Sequence, residues 1–209
     1  VHREAERHHE HGRHLFLIGH AGHPEVIGTM GQLPAGAVTL VQDAADAESV
    51  AAPEGAILAY TTQTTLSVDD TAEIIGILQR RFPDIRGPAK EDICYATTNR
   101  QAAVKAIAAR SDLVVVVGAP NSSNSQRLRE VAERSGAQRA VMVQRGADLD
   151  LALVQGCKTV GVTAGASAPE VLVEEVIARL AEAYSLNIEE VVVAVEQITF
   201  RLPRGLAAE

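Results

Sequence analysis

Tryptophan is absent and phenylalanine and tyrosine number three each, so aromatic residues make up only 3% of the 209 positions. A chain so poor in flat side chains has no stacking platform for single-stranded nucleic acid. Positive charge is short as well: 19 Lys and Arg against 27 Asp and Glu leave a formal charge of -8. That balance argues against a general phosphate-backbone binder. Any anion site must be local, built from backbone N–H groups, hydroxyls and imidazoles. Cysteine is limited to Cys94 and Cys157, without Cys-x-x-Cys or Cys/His finger spacing. This argues against a disulfide framework and for a reducing, cytoplasmic setting. No apolar run approaches the roughly 18 residues needed to cross a bilayer. The start, VHREAERHHEHGRH, is charged throughout and unlike a secretory leader. It reads as a helix entered without cap or initiator Met, as expected of a piece of a longer protein.

What the chain does contain is a repeated alternation of strand and helix. Residues 1–14 read as a polar helix whose His8, His9 and His11 form a solvated face, their spacing giving no matched i, i+4 pair. LFLIGH is a buried strand; Gly19 and Gly22 permit a tight turn, and Pro24 suits a first helical turn. AVTLV precedes a short helix near residues 44–50, and AILAYTTQTT precedes an amphipathic helix over 68–82 that Pro83 stops, with IRGPAK as linker. The order then recurs. A helix over 100–110 is followed by DLVVVVGA, the loop and helix NSSNSQRLREVAERSG, AVMVQ, a short helix near 147–154, KTVGVTAGASAPE and a helix over 171–184. EEVVVAVEQITFRLP reads as a strand-like tail.

The second half repeats the first. Gln42 matches Gln144, Asp46 matches Asp148, Thr65 matches Ser167, Ile75 matches Ile177 and Leu78 matches Leu180, each 102 residues on, whereas LFLIGH over VVVVGA earlier in the halves needs 99. An offset preserved through strand, loop and helix indicates a duplicated module. The expected fold class is therefore α/β, with two duplicated three-layer modules, each a parallel sheet covered by helices. Their expected extents are 1–90 and 91–209.

In parallel sheets the C-terminal strand ends share one edge, where open α/β folds place their chemistry. Four loops fall there: GHAGHPE, TTQTTLS, GAPNSSNS and TAGASAPE. Asn121 to Ser125 set five hydrogen-bonding side chains in a row at a helix start, more than capping requires, and so suggest a phosphate site. His23 and Glu25 share another helix start, where end stabilisation is the plain reading, and ligand charge neutralisation with proton delivery the functional one. His20 reads as packing. Thr64 and Thr65 stand after the next strand, able to hold a ligand hydroxyl.

Cys94 lies in EDICYATTNRQ, between the halves. Its β-prone ICY run reads as a strand end, with Thr97 or Thr98 capping the next helix. A buried apolar role is the plain reading. Glu91 and Asp92 deprive the thiol of a cationic partner, which disfavours a cysteine nucleophile and leaves metal or cluster ligation. One cysteine cannot hold such a group, so further ligands must come from outside this chain. Cys157, before the VGVTAG strand, stands at the opposite sheet edge and reads as structural.

Taken together, GHAGHPEVIGTMGQ, TQTTLSVDDT, EDICYATTNRQ, GAPNSSNSQRL and GVTAGASAPE resemble, in order and spacing, the motifs of the 4-hydroxy-3-methylbut-2-enyl diphosphate reductases of the methylerythritol phosphate route to isoprenoids. The resemblance runs over essentially the whole chain. It implies a trefoil of three α/β modules around an oxygen-sensitive [4Fe–4S] cluster held by three cysteines, with one iron open to the substrate hydroxyl. Two electrons, from a ferredoxin or flavodoxin, and protons would remove that hydroxyl as water from an allylic diphosphate. Carried over, Cys94 would be one cluster ligand, Glu25 the proton donor and Thr64 the holder of the hydroxyl. His23, Ser122, Ser123, Asn124 and Ser167 would bind the diphosphate or position its surroundings, with Gln63 and Thr65 as lesser candidates. The family's N-terminal segment and first module, carrying the other two cysteines, have no counterpart here. The chain is thus expected to be the second and third modules, inactive alone and with a sheet edge left for the missing N-terminal module. Alternative readings are a cluster-free module binding a phosphorylated metabolite and a fragment stable only on a partner.

Overall fold

The computed structural model describes residues 1–89 and 92–195. Two strands carry a fully buried apolar run, Leu15 to Ile18 and Leu113 to Val117, and each lies at the centre of a three-stranded parallel sheet. β1 (Arg13–Ile18) is flanked by β2 (Val38–Val41) and β3 (Ile57–Thr62) in the order β2-β1-β3. β4 (Leu113–Val117) is flanked by β5 (Arg139–Val143) and β6 (Val160–Ala164) in the order β5-β4-β6. A central parallel strand is covered on both faces and hence reads as continuous hydrophobe.

Alternate residues of these strands feed opposite layers. Phe16 and Ile18 meet Leu58, Ile74, Ile77 and Leu78 on one face, whereas Leu15 packs with Ala5 and Ala59 on the other. In the second sheet Val114 and Val116 meet Val104, Leu128 and Val131, and Leu113, Val115 and Val117 meet Leu149, Val176 and Leu180. Burying each such side chain contributes about 1.5–3 kcal/mol, so these layers dominate the fold.

Four of the seven α-helices among the described residues begin at a capping side chain. α1 is His2–Glu10, α2 Pro24–Gly31, α3 Ala44–Ser49 and α4 Val68–Arg81. α5 is Tyr95–Ala108, α6 Ser123–Arg134 and α7 Glu170–Ala181. His23, Asp43, Ser67 and Ser122 each accept a first-turn backbone N–H at the start of α2, α3, α4 and α6. Two 3₁₀ turns, Gly146–Asp148 and Leu151–Leu153, replace the expected short helix of the second half.

The duplication is visible in detail. Gln42 N donates to Asp46 Oδ2 at 2.9 Å, and Gln144 N donates to Asp148 Oδ2 at 3.2 Å. Gly19 and Gly118 end the two central strands. A Cβ on Gly19 would lie 2.6 Å from Val26 Cγ2, and one on Gly118 would overlap Ser125, so in both halves the following helix closes on the strand through a missing side chain.

Several expectations require correction. α1 ends at Glu10 because residues 13 and 14 already belong to β1, and His8 is 1% exposed rather than solvated, with Nδ1 3.0 Å from Arg13 Nη1. The IRGPAK linker is not free either, since Arg86 pairs with the outer edge of β3 through Tyr60 N and Leu58 O. ICY is not a strand: α5 starts at Tyr95, and Thr97 and Thr98 lie inside it. Residues 189–195 form no strand, and 196–203 of the expected tail lie outside the described residues. So do Glu91 and the expected module boundary at 90/91. No helix among the described residues is long and apolar enough to cross a membrane.

Buried amides join the halves. Gln101, 1% exposed, donates from Nε2 to Leu66 O at 2.7 Å and accepts from Val68 N at 2.9 Å. Arg134 and Lys105 add ion pairs to Asp70 and Asp69 at 2.8 and 2.6 Å. These pairs are exposed, and pairs of that kind contribute at most about 1 kcal/mol each. The two bonds of Gln101, buried and to backbone, are the stronger constraint on how the sheets face each other.

Candidate functional site

The site forms where the C-terminal edges of both sheets and the start of α5 converge. Thr64, two residues past β3, is its centre. Its N and its Oγ1 both donate to Glu25 Oε2, at 3.1 and 3.0 Å, and its carbonyl accepts from Cys94 N at 3.3 Å. Residues 25, 64 and 94, distant in sequence, thus form one hydrogen-bonded chain. Glu25 reaches Thr64 because it occupies the first turn of α2, directly after the His23 cap. His23 Nδ1 accepts from Glu25 N at 3.2 Å. That bond assigns the ring proton to Nε2, leaving His23 a donor for an anionic group.

A second set of polar groups links the sheets. Gln63 is fully buried; its Oε1 accepts from His20 N at 3.1 Å, and its Nε2 donates to Thr65 Oγ1 at 3.0 Å and Ser123 Oγ at 3.2 Å. Thr65 and Ser123 hydroxyls are 3.0 Å apart. Ser122 and Ser125 are occupied locally, Ser122 Oγ accepting from Ser125 N at 3.3 Å and from Ser125 Oγ at 3.0 Å. Asn124 differs. It is 7% exposed, and no described group pairs with either atom of its amide. Leaving such a group unsatisfied costs about 1–3 kcal/mol, which ligand contact would recover. Ser167 stands exposed on the loop after β6, two residues past Gly165, and Gly165 lies against Ser125 and Asn124.

Cys94 is half-buried and is the N-cap residue of α5, with no side-chain cap bond; its Sγ lies 3.0 Å from Thr97 Oγ1. Among the described residues no group of three His, Cys, Asp or Glu side chains is arranged to hold a metal ion. This donor set fits one ligand position of a thiolate-bound cluster and no more. Cys157 Sγ lies 3.7 Å from Arg139 Nη2, at the start of β5 and so at the opposite edge of the sheet from the site.

Three participants were given no site role in the sequence, Asp92 having been read only as an acidic neighbour of Cys94. Arg127 Nη2 lies 2.7 Å from His20 Nε2 and also pairs with Glu130. Burial first, and then the Arg127 cation, hold the His20 imidazole below its ordinary pKa. Asp92 Oδ2 accepts from Thr61 Oγ1 at 2.6 Å and Thr62 N at 2.8 Å. Burial holds its carboxyl above the usual range, against the lowering effect of those two bonds. Gln101 is the third. Arg127 sits four residues after Ser123, a spacing that puts both on one helix face; Asp92 and Gln101 carry no comparable signal. A neighbouring cavity of about 330 Å³ includes His20, Ser67, Asp70, Thr71, Arg127 and Arg134 in its lining. Both its arginines are paired with Asp70, and among the described residues the Arg127 Nε and the Asn124 amide, both buried, have no hydrogen-bond partner.

Comparison with known proteins places this arrangement in context. A family model described as LytB protein matches residues 1–181. The 4-hydroxy-3-methylbut-2-enyl diphosphate reductase of Gluconobacter oxydans is 63% identical over 213 residues, covering 100% of this chain and 63% of that protein. A second, 4-hydroxy-3-methylbut-2-enyl diphosphate reductase 2 of Rhodopseudomonas palustris, is 61% identical, covering 99% of this chain and 64% of its own length. The solved structure of the E-1-hydroxy-2-methyl-but-2-enyl-4-diphosphate reductase from Plasmodium falciparum superposes with a TM-score of 0.91 at 32% identity, covering 98% of this chain and 64% of that one. The chain therefore spans somewhat less than two thirds of the length of these relatives.

Proposed function

Because the chain belongs to the LytB protein family, we propose that it forms two modules, residues 1–90 and 91–209, of a three-module iron–sulfur oxidoreductase. The reaction is the reductive dehydroxylation of 4-hydroxy-3-methylbut-2-enyl diphosphate to isopentenyl and dimethylallyl diphosphate. In it a C–O bond breaks, two electrons and two protons enter, and the oxygen leaves as water. A ferredoxin or flavodoxin is the electron donor. The observation that carries the reading is the chain Glu25, Thr64, Cys94, in which a carboxylate, a hydroxyl and a thiol-bearing residue are bonded in series.

Cys94 serves as one ligand of a [4Fe–4S] cluster whose other cysteines come from outside these 209 residues. When bound, such a cluster would supply the two electrons and Lewis-acid assistance for breaking the C–O bond. The protein's own part is binding and proton delivery. Thr64 Oγ1, which donates to Glu25 in the free state, turns its hydrogen bonding toward the substrate hydroxyl. Glu25, once it has taken up a proton from solvent, delivers that proton over the same short path, its Oε2 already lying 3.0 Å from Thr64 Oγ1. His23, Ser122, Ser123, Asn124 and Ser167 hold the diphosphate. Gln63 and Thr65 fix the spacing between the two helix starts that carry His23 and Ser123. Hydroxyls, an amide and an imidazole suit a dianion in a chain of charge -8, because helix N-termini supply the missing positive potential.

Glu25→Gln in the complete enzyme tests the assignment. Turnover should fall by at least about a hundredfold, the usual scale of a lost general acid, while affinity for the diphosphate stays close to that of the parent. Equal losses in both would make Glu25 a binding group. Incorporation of a stable four-iron cluster by these 209 residues alone, seen by anaerobic absorbance, would refute the need for outside ligands.

A further inference from the structure

We infer that Asp92 is the positioning residue that sets the Cys94 thiol against Thr64 and Glu25. This rests on the reading of Cys94 as a cluster ligand. β3 is an edge strand, so its outer backbone groups need partners from outside the sheet. Arg86 supplies two of them, accepting from Tyr60 N at 2.8 Å and donating to Leu58 O at 3.1 Å. The next outward donor is Thr62 N, and its acceptor is not backbone but the Asp92 carboxylate, which also takes the Thr61 hydroxyl. Two residues further along each segment, Cys94 N donates to Thr64 O at 3.3 Å. Residues 92–94 therefore run beside 61–64 with a tether at each end, and between them Ile93 packs against the first core.

The two tethers are unequal. The bonds to Asp92 are short and charge-assisted, whereas the one from Cys94 N is longer than the usual range. Cys94 makes no side-chain cap bond; its Sγ meets the Thr97 hydroxyl at 3.0 Å and its carbonyl accepts from Thr97 N at 2.9 Å, contacts that tie it to α5 and not to β3. The stronger hold of this segment, and of the helix start it carries, on β3 thus comes from the carboxylate two residues before the cysteine. The same strand carries that hold to Thr64, which follows Thr62 by two residues and binds Glu25. One residue thereby sets the spacing between the thiol and the groups that act on substrate.

The test measures Cys94 alkylation by iodoacetamide in the 209-residue chain, followed by peptide mass spectrometry, with Cys157 as internal reference. Asp92→Ala should speed Cys94 modification about tenfold relative to Cys157, as expected when a hydrogen bond of ordinary worth no longer holds the closed segment. Asp92→Asn keeps an oxygen acceptor and should restore a rate near that of the parent. If Asp92→Ala does not fold, Thr61→Val decides, since it removes one donor only and should give a smaller acceleration of Cys94 alone. An unchanged Cys94 rate in whichever of the two variants folds, or equal acceleration of Cys157, overturns the inference. Absence of an iron–sulfur chromophore in the complete parent enzyme would instead overturn the cluster reading and leave the alkylation result standing.

Discussion

Asn124 shows how a single residue separates stability from binding. Its amide is buried without a described partner, whereas Ser122 and Ser125 beside it satisfy each other at the helix start. Of the five residues of the polar run, Ser122 and Ser125 thus do the capping, Ser123 is bonded to Gln63 and Thr65, and the Asn124 amide is without a described partner. Replacing Asn124 by Leu, of similar size and without polar atoms, is expected to leave the melting temperature unchanged or raise it. Diphosphate affinity of the complete enzyme, read by calorimetry, should fall by about tenfold or more, the worth of one hydrogen bond to a charged group. A lower melting temperature with unchanged affinity would show that the amide serves the fold alone.

At the scale of elements, α5 departs furthest from expectation. Local signals placed a strand at ICY and a helix start near Arg100, because β-prone side chains and two threonines able to cap occur there. The helix begins at Tyr95 instead, and Thr97 turns its hydroxyl to the Cys94 sulfur. The tethers from Asp92 and Cys94 to the end of β3 override those propensities, which are worth only tenths of a kcal/mol per residue. Since Cys94 occupies the N-cap position without making the cap bond, Cys94→Ser should stabilise the chain by about 1 kcal/mol in urea denaturation. Cys157→Ser should bring no such gain. A destabilised Cys94→Ser chain would mean that the sulfur's packing outweighs the cap.

For the whole molecule, the buried imidazoles set the response to acid. His8, His14 and His20 all have pKa values below the ordinary 6.5, with burial the largest cause in each. The unfolded chain therefore binds more protons than the folded one as pH falls through 6.5. Stability is full above that value and is lost progressively below it, toward the folded pKa values. Around His20 the Arg127 cation and His23 reinforce the effect, and Glu130 and Asp70 oppose it. Asp92, its carboxyl held above the usual range by burial, contributes the opposite slope: the cost of keeping it ionised in the fold is relieved as pH falls through its folded pKa toward the ordinary carboxyl value. The urea midpoint should accordingly be lower at about pH 5.5 than at about pH 7.5, and His20→Gln should reduce the difference. A midpoint higher at about pH 5.5 than at about pH 7.5 would show that the raised Asp92 carboxyl dominates instead.

The α/β alternation, the duplication and the clustering of polar loops at strand ends were legible in the sequence because each is periodic: apolar runs, a constant offset and recurrent turn residues depend on neighbours along the chain. Which polar groups meet was not legible. The bond of Glu25 to Thr64, the burial of His8 and Asn124, the clamp of Asp92 and the cap position of Cys94 were decided by the tertiary structure. Desolvation and hydrogen bonding act between groups tens of residues apart, and linear order does not encode the distance between them.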